Sequence, residues 1–283
     1  MSKTVFKAWA RPLWRKFKLL RLAGALIRDS YYDLRRYLRW SHGTDTDRTE
    51  TKRRHALYKA YHGVEKGLSL ANPRPGFGVS KIGQLVGQIR ALIAKDGPDY
   101  ATAAISALHG YSRFNSAQGV ESSAALSAFL ADHPNDTGDG GVEAITGDAL
   151  RAQGAKADRD FFWSRHSIRN FSDKPVAMET LHEVVDMARK TPTVCNRQGP
   201  KVHIFENAED ALRHQPGNRG FGHLASRAMV VTTDLQAFSG RGERHQAYVD
   251  GGMFAMSLLY AVHAAGLGAC PLAWTTDAAT DRL

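Results

Sequence analysis

The sequence contains very little cysteine, because only Cys195 and Cys270 occur among 283 residues. They form no CxxC pair, and no group of His and Cys has the spacing of a metal-ligand set. These absences argue against a disulfide framework and against a structural zinc site. Sparse, unpaired cysteine is typical of proteins in a reducing compartment, and we expect a cytoplasmic location.

The chain also lacks a secretory signal, since Lys and Arg are spread through the first 28 residues without an apolar run that ends at a small-residue cleavage site. Residues 251–276 contain no Asp, Glu, Lys or Arg, and the stretch is long enough for a membrane span. However, two glycines and Pro271 interrupt it, and His263 would lie unpaired in lipid. We therefore expect a buried helix followed by a buried strand.

Acidic residues are scarce at one end of the chain. Residues 1–70 hold 17 Lys and Arg against 6 Asp and Glu, whereas residues 71–283 hold 21 against 22. The net charge of +10 therefore comes from the N-terminal segment. No recognisable nucleic-acid-binding fold accompanies this charge, and we expect no nucleic-acid partner. With 43% hydrophobic residues, the chain can form one large globular domain or two smaller ones.

Residues 11–40 predict one basic amphipathic helix. Apolar residues recur at steps of three, four or seven and share one face: Leu13, Phe17, Leu20, Gly24, Ile27, Tyr31, Leu34 and Leu38. Basic residues lie largely off that face. Such a helix either packs on its own chain or on a partner chain, or it binds an anionic membrane peripherally at the cytoplasmic face. Trp14 and Trp40 support the membrane alternative, and the sequence leaves both open.

We expect two regions: a basic, mostly helical region over residues 1–150 and a second domain over residues 151–283. Helices are predicted at 80–96 and 98–131, and "DHPNDTGDGG" has the composition of a linker. Four polar residues of the first region match no metal-ligand or catalytic spacing and are expected to be structural: His55, His62, Glu65 and Lys66.

Helix and strand patterns alternate in the second region. "METLHEVVDMARK" predicts a helix that ends before Pro192, while "KVHIF" and "RAMVVTTD" predict strands. A charge-poor helix over about 244–265, with Gly266 suited to its C-terminal cap, precedes a further strand at "PLAW". This mixture predicts an α+β sandwich.

The segment "RHSIRNF", residues 165–171, is a candidate anion site. Two arginines and the Ser167 hydroxyl can converge on one phosphate if the backbone turns them the same way. Without that convergence, the basic residues would be solvated surface groups.

A second candidate is the loop "TPTVCNRQGP", residues 191–200. The amides of Asn196 and Gln198 can each donate and accept, which suits the carbonyl and N–H edge of a pyrimidine-like ring, although such side chains also cap loops. We do not expect Cys195 to be a nucleophile, because no His is placed predictably to activate it. In the third segment, "GLGACPLAW", the glycines follow a helix, so they do not form a Rossmann motif; they allow close approach of backbone to a planar ligand.

In this order, the three segments resemble the FMN-dependent nitroreductase family over about residues 160–275. "RHSIRNFSDKPV" is similar to the family's opening phosphate motif, "TPTVCNRQGP" to its Pro-Ser-x-x-Asn-x-Gln-Pro loop, and "LLYAVHAAGLGACPL" to its central helix and following strand. The resemblance implies an α+β fold with a mixed sheet flanked by helices. It also assigns cofactor contacts: Arg165, His166, Ser167 and Arg169 at the phosphate and ribityl end of FMN, Asn196 and Gln198 at the flavin ring, and the backbone of Pro271, Leu272 and Ala273 near flavin N5.

The implied activity is an oxidoreductase that passes electrons from NAD(P)H through FMN to a nitro, quinone or similar small-molecule acceptor. The flavin carries the chemistry, so no catalytic side chain is expected. The resemblance also implies a homodimer with the flavin at the interface. Two alternatives are an FMN enzyme of another reaction type and a membrane-surface interaction protein whose flavin fold is inactive.

The loop over residues 191–200 and the residue that follows it depart from the family pattern at three places. Thr193 replaces the usual Ser, Gly199 is an added residue before Pro200, and Lys201 stands where an aromatic residue is usual. The family normally continues for some tens of residues beyond this point. We therefore expect the second domain to be C-terminally incomplete.

Overall fold

The computed structural model describes residues 3–42, 49–274 and 278, and for residues 3–16 and Pro216 it describes the backbone alone. Residues 43–48, 275–277 and 279–283 lie outside the described residues. The chain divides into two compact units. One contains the first helix together with Ala273 and Trp274, and the other runs from Ser41 to Leu272.

The described part of the chain is mostly helical. Its helices are α1 Lys3–Trp40, α2 Glu50–Leu68, α3 Val79–Asp96, α4 Thr102–Ala117, α5 Ala124–Asp132, α6 Gly147–Gly154, α7 Arg159–Ser164, α8 Met178–Ala188, α9 Ala208–Leu212 and α10 Gln246–Ala264. Two strands accompany them, β1 Pro200–Phe205 and β2 Ala228–Thr233. The predicted basic helix is confirmed and begins earlier than expected, at Lys3.

Helices α2 to α5 enclose a first hydrophobic core, built from residues such as Leu57, Ile89, Leu108 and Phe129, which are almost completely buried. Local sequence sets the helix ends. The Thr49 side chain accepts a hydrogen bond from the Lys52 N–H at 3.2 Å, which caps the start of α2.

The prediction of one helix over 98–131 was wrong, because the structure has two helices there. Gly119 adopts a left-handed φ of 72°, which a glycine allows and an α-helix does not. Ser123 then caps α5 by accepting from the Leu126 N–H. The intervening turn is held by the backbone carbonyl of buried Asn115, which accepts from Gln118 N–H at 2.9 Å and from Val120 N–H at 3.0 Å.

The sheet confirms the two predicted strands and the α+β class. Strands β1 and β2 pair antiparallel, with Val202 opposite Val231. Helices α8 and α10 pack together beside this sheet and form a second hydrophobic core around Val184, Phe254 and Leu258. Gly266 ends α10 as expected: it has a φ of 71°, and Leu267 N–H donates back to Val262 at 3.1 Å.

The predicted strand at "PLAW" does not form among the described residues. The chain instead makes one parallel bridge just before it, between Ser167 and Ala269, with Ile168 N–H donating to the Ala269 carbonyl at 2.9 Å. A single bridge supplies too little pairing to extend a strand, and Pro271 has no N–H to donate to a ladder. The described sheet is therefore a two-stranded ribbon with one isolated parallel bridge.

The expected domain boundary near residue 150 stays a prediction. Helix α2, from the first region, contacts the turn Val194–Asn196 of the second. None of the helices in the described ranges combines the length and apolar character required to cross a membrane.

The first core should be intolerant of cavities. Leu108 is fully buried, so Leu108→Ala is expected to lower the free energy of unfolding by about 2 to 5 kcal/mol. Leu150 is 58% exposed on α6, and Leu150→Ala should change stability by no more than about 0.5 kcal/mol. Urea unfolding followed by circular dichroism measures both, and similar losses for the two variants would contradict this view of the core.

Candidate functional site

The first candidate segment leaves α7 in an extended conformation and passes beside the end of α10. The Ser164 hydroxyl lies 2.9 Å from His263 Nε2 on α10. Three residues later, the Ser167–Ala269 bridge aligns the backbone with the segment that follows α10. The structure therefore brings the first and third candidate segments together.

The basic side chains of this segment lie at or near the protein surface. Arg165 is half-buried, whereas His166, Ser167 and Arg169 are exposed. Arg169 lies over the Phe221 ring, 5.8 Å from its centroid, and its Nη1 is 3.5 Å from the Ser167 carbonyl. Within the described ranges, neither arginine forms an ion pair with a carboxylate. Their donors are therefore not taken up by a carboxylate of the described residues, although Arg169 uses one donor for the Ser167 carbonyl.

The glycines of the third segment have structural explanations. Gly266 adopts the left-handed conformation that ends α10. A Cβ on Gly268 would lie 3.1 Å from the Ile168 side chain, so the absence of a side chain permits the close approach of the bridged segment. Beyond it, Pro271 and Ala273 are exposed and Leu272 is half-buried.

The loop over 191–200 has an unusual backbone. Cys195, Asn196 and Gln198 have φ angles of 50°, 51° and 52°, in the left-handed region that non-glycine residues seldom adopt. Such residues persist only where the surroundings fix them, and they cluster at functional sites. This backbone is the feature of the loop that most favours a binding role.

The two candidate amides lie on the outer side of this loop. Asn196 and Gln198 are exposed, and Gln198 Nε2 donates to Asn196 Oδ1 at 2.5 Å. The Gln198 N–H donates to Thr193 Oγ1 at 3.0 Å, a bond that the usual Ser could also accept. Among the hydrogen bonds of the described residues, the Asn196 amide N–H groups and the Gln198 amide oxygen have no partner.

Arg197 is the residue that sequence reasoning missed. It is completely buried, and its Nη1 donates to Glu243 Oε2 at 2.9 Å. Its Nε donates to the Val194 carbonyl at 3.1 Å, and the guanidinium lies over the Phe238 ring. The sequence gives no signal for this, since an Arg between two amides in a polar loop would ordinarily be solvated.

Two further contacts hold the loop in place. Val194 N–H donates to Asp250 Oδ2 at 3.1 Å, and this buried carboxylate belongs to α10. The added Gly199 is buried, and a Cβ there would lie 2.9 Å from the Ala237 side chain. The extra residue of the loop is therefore accommodated because it is a glycine.

The region before residue 150 supplies part of the surroundings. Lys59 of α2 donates to Glu243 Oε1 at 3.2 Å. Burial raises the pKa of Glu243. Hydrogen bonds from Arg197 and from Ser239 N–H act in the opposite direction, as do the charges of Arg197 and Lys59. These effects outweigh burial and lower the pKa of Glu243 to about 2. We name Arg197, Glu243, Lys59 and His55 the ionic cluster.

His55 is the neutral member of the ionic cluster. Burial lowers its pKa to about 4, and this effect outweighs the charge of Asp234 and a hydrogen bond with the Arg197 backbone, which raise it. His42 is affected in the same direction, again mainly by burial. The expectation that His55 is structural is consistent with this burial beneath the loop.

Neither metal nor disulfide chemistry is indicated in the described ranges. They contain no group of three His, Cys, Asp or Glu residues able to hold a metal ion. Cys195 and Cys270 are both free thiols and half-buried.

The two candidate groups are anchored at different points of α10. Asp250 holds the loop, and His263 contacts the segment that leads into residues 165–169. These anchors are 13 residues apart, or about 20 Å along a helix. Among the described residues, no hydrogen bond or ion pair joins the loop directly to residues 165–169.

Comparison with known families bears on the same residues. The model of the nitroreductase family matches residues 163–231. The resemblance to the nitroreductase family is confirmed over this stretch. The match includes the basic segment, the loop, β1 and the first four residues of β2, while the segment after α10 lies outside it. No curated protein matches the chain.

Three solved structures resemble part of the chain. A Desulfovibrio desulfuricans protein described as a nitroreductase in complex with FMN is 23% identical, covers 38% of this chain and 63% of its own, and has a TM-score of 0.34. A Clostridium acetobutylicum protein described as an NADH oxidase is 23% identical, covers 38% of this chain and 65% of its own, and has a TM-score of 0.34. A Bacillus subtilis protein described as a nitroreductase is 18% identical, covers 47% of this chain and 80% of its own, and has a TM-score of 0.38. This chain thus spans less than two thirds of the first two proteins, and likeness at this level shows nothing about its function.

The pKa of His55 leads to a prediction about stability. The unfolded ring takes up a proton near its ordinary pKa of about 6.5, whereas the folded ring stays neutral to about pH 4. The free energy of unfolding should therefore fall as pH falls between these values, and His55→Gln should reduce that slope. Urea unfolding at several pH values measures it.

Glu243→Gln provides the contrasting variant. The folded pKa of Glu243 is depressed to about 2, below its unfolded value of about 4.3. Its contribution to the free energy of unfolding is therefore present above about pH 4.3 and is lost as pH falls below that value. Glu243→Gln should alter the slope in that lower range alone. Parallel slopes for wild type and His55→Gln between pH 6.5 and 4 would show that His55 does not carry the effect.

Proposed function

We propose that the chain is a flavin-dependent oxidoreductase that passes electrons from NAD(P)H through FMN to a nitro, quinone or similar acceptor. The observation that carries the proposal is the family match over residues 163–231, which includes both the basic segment and the strained loop. An oxidoreductase of this kind requires a cofactor site, and the described side chains fit the two ends of FMN.

The basic segment fits the phosphate. Arg165 and Arg169 make no carboxylate ion pair within the described ranges, and His166 and Ser167 offer further donors on the same exposed segment. Charge-assisted hydrogen bonds from guanidinium groups are among the strongest that a phosphate can accept. The Ser167–Ala269 bridge fixes the backbone between the two arginines and so limits how far they can move.

The strained loop fits the flavin ring. The left-handed backbone at Asn196 and Gln198 holds their amides outward, and the ionic cluster stabilises that backbone from below. An amide can complement the carbonyl and N–H groups of a pyrimidine edge. The resemblance assigns the backbone of Pro271, Leu272 and Ala273 to the flavin as well.

The flavin ring of bound FMN would supply the hydride and electron-transfer chemistry, and the chain would supply binding and orientation. Cys195 is a half-buried free thiol, and the proposal gives it no role in the reaction. The same residues would also serve another FMN reaction, which is the alternative within this class. The choice between NADH and NADPH has no assigned residue.

A homodimer would complete the site. The loop and the basic segment are anchored about 20 Å apart on α10. A symmetric dimer can place the loop of one copy beside the basic segment of its partner. The outer face of α10 supports this arrangement, because three large apolar side chains are exposed there: Tyr248, Val249 and Met253.

The phosphate assignment is tested by flavin binding. Purified protein should show flavin absorption bands near stoichiometric yield. Arg165→Ala and Arg169→Ala should each weaken FMN binding about tenfold or more, because a hydrogen bond to a charged group contributes roughly 1.5 to 3 kcal/mol. Fluorescence titration measures the loss, and Arg151→Ala, at an exposed arginine of α6, is the control. Riboflavin lacks the phosphate; if it binds wild type as tightly as FMN does, the assignment is wrong.

The loop assignment is tested at two adjacent residues of equal backbone geometry. Asn196→Gly removes the amide while the left-handed φ is retained without strain, so FMN binding should weaken. Cys195→Gly makes the same change at the neighbouring left-handed position and should leave FMN binding and NAD(P)H oxidation intact. Loss of turnover in Cys195→Gly with FMN still bound would instead assign a role to the thiol.

A further inference from the structure

One face of α1 exposes large apolar side chains to solvent. We name this face the apolar stripe: Phe17, Leu20, Ile27, Tyr31, Leu34 and Leu38. Ile27 is 71% exposed and Leu20 is 70% exposed. Amphipathic helices of globular proteins bury such a face against a core. A contiguous exposed apolar surface of this kind marks an interaction site.

The exposed apolar surface continues beyond the stripe. Leu19, Leu22 and Leu26 are more than half exposed on the adjoining flank of the helix. At 3.6 residues per turn, the stripe and this flank together cover more than half of the helix circumference. The apolar surface is thus wider than the two-position seam of a coiled coil.

A row of arginines borders the apolar stripe. Arg21, Arg28 and Arg35 are seven residues apart and lie along one edge of the stripe. Between residues 17 and 40, six basic residues face only two acidic ones, Asp29 and Asp33. This side of the helix therefore carries a net positive charge next to an apolar surface.

We propose that α1 lies along an anionic lipid surface, with the apolar stripe inserted at the level of the acyl-chain boundary and Arg21, Arg28 and Arg35 on the lipid phosphates. The combination of a charged face and a Leu-, Phe- and Trp-bearing apolar face is that of an interfacial helix. Arginine forms forked hydrogen bonds with phosphate, so the row of three suits a layer of anionic headgroups. Trp40 ends the helix with an amphipathic ring, 41% exposed, of the type enriched at membrane interfaces.

A second copy of the chain suits this face less well. The stripe has steps of three and four, like a heptad seam, but Gly24 occupies one of the seam positions and would leave a gap in a paired helix. Acidic residues opposite the arginine row would also favour a paired helix through salt bridges between the two copies. The matching positions on the other edge are Lys16, Ala23, Ser30 and Tyr37, none of which is acidic. A lipid surface requires neither a complementary seam nor acidic side chains.

Vesicle sedimentation of the full chain tests this proposal. Vesicles of phosphatidylcholine alone are compared with vesicles that also contain phosphatidylserine. We expect sedimentation with the anionic vesicles, a decrease with added salt as screening increases, and little sedimentation with the neutral ones. The triple variant Arg21→Glu, Arg28→Glu and Arg35→Glu should bind the anionic vesicles at least about tenfold more weakly.

Two further variants separate charge placement from net charge and from apolar contact. Arg151→Glu, Arg189→Glu and Arg213→Glu together change the net charge equally at exposed arginines outside α1, and should retain binding. Leu20→Ala, Ile27→Ala and Leu34→Ala preserve helix propensity while removing apolar surface, and should lose binding. Circular dichroism of each variant verifies folding independently of lipid.

Three outcomes would overturn the proposal. They are equal sedimentation with neutral and anionic vesicles, an equal loss in the control triple variant, and no sedimentation of the wild-type chain. If the wild type does not sediment and light scattering shows that the Leu20, Ile27 and Leu34 substitutions dissociate a dimer, the stripe belongs to a second copy instead. The result does not depend on flavin binding, so the oxidoreductase proposal is tested separately.

Discussion

The buried charge of Arg197 is the constraint on which the candidate loop depends. A guanidinium that is fully enclosed is stable only when it is paired, and here Glu243, the Val194 carbonyl and the Phe238 ring surround it. Removing one partner of a buried ion pair costs about 3 to 5 kcal/mol. Three left-handed residues cost about 1 to 3 kcal/mol each. Arg197 therefore ties the strained segment to Glu243, because breaking that pair would leave an uncompensated buried charge.

Helix α10 has the complementary role of connecting the loop to the basic segment. Its buried Asp250 accepts from the loop, and its His263 contacts Ser164, so one rigid element positions both groups. The same helix exposes apolar side chains such as Tyr248 and Met253. A helix that anchors two separated groups and also presents an apolar outer face is compatible with the homodimer proposed above.

The elements that sequence could predict are those with strong local signals. The helix before Pro192, the strands "KVHIF" and "RAMVVTTD", and the cap at Gly266 follow from periodicity and from glycine geometry, and all are present. The single long helix over 98–131 was wrong because Gly119 breaks it, and "PLAW" remains outside a strand because only one bridge precedes it. Motif order selects the exposed amides and arginines as site residues, and that assignment stays a prediction. Motif order missed Arg197, since burial of a charged residue depends on distant partners, Glu243 and Lys59, that no local pattern reveals.

Those distant partners also show what the N-terminal region contributes. The first core and the second core are separate hydrophobic clusters, as a boundary near residue 150 would require. The ionic cluster nevertheless crosses that boundary, because α2 provides Lys59 to Glu243 and the His55 ring to the Arg197 backbone. Helix α2 carries no recognisable motif, but it lies directly beneath the loop. There it excludes water from Arg197, the fully buried charged residue of the loop. The electrostatic support of the loop therefore includes side chains of α2, and the first region is a structural part of the candidate site.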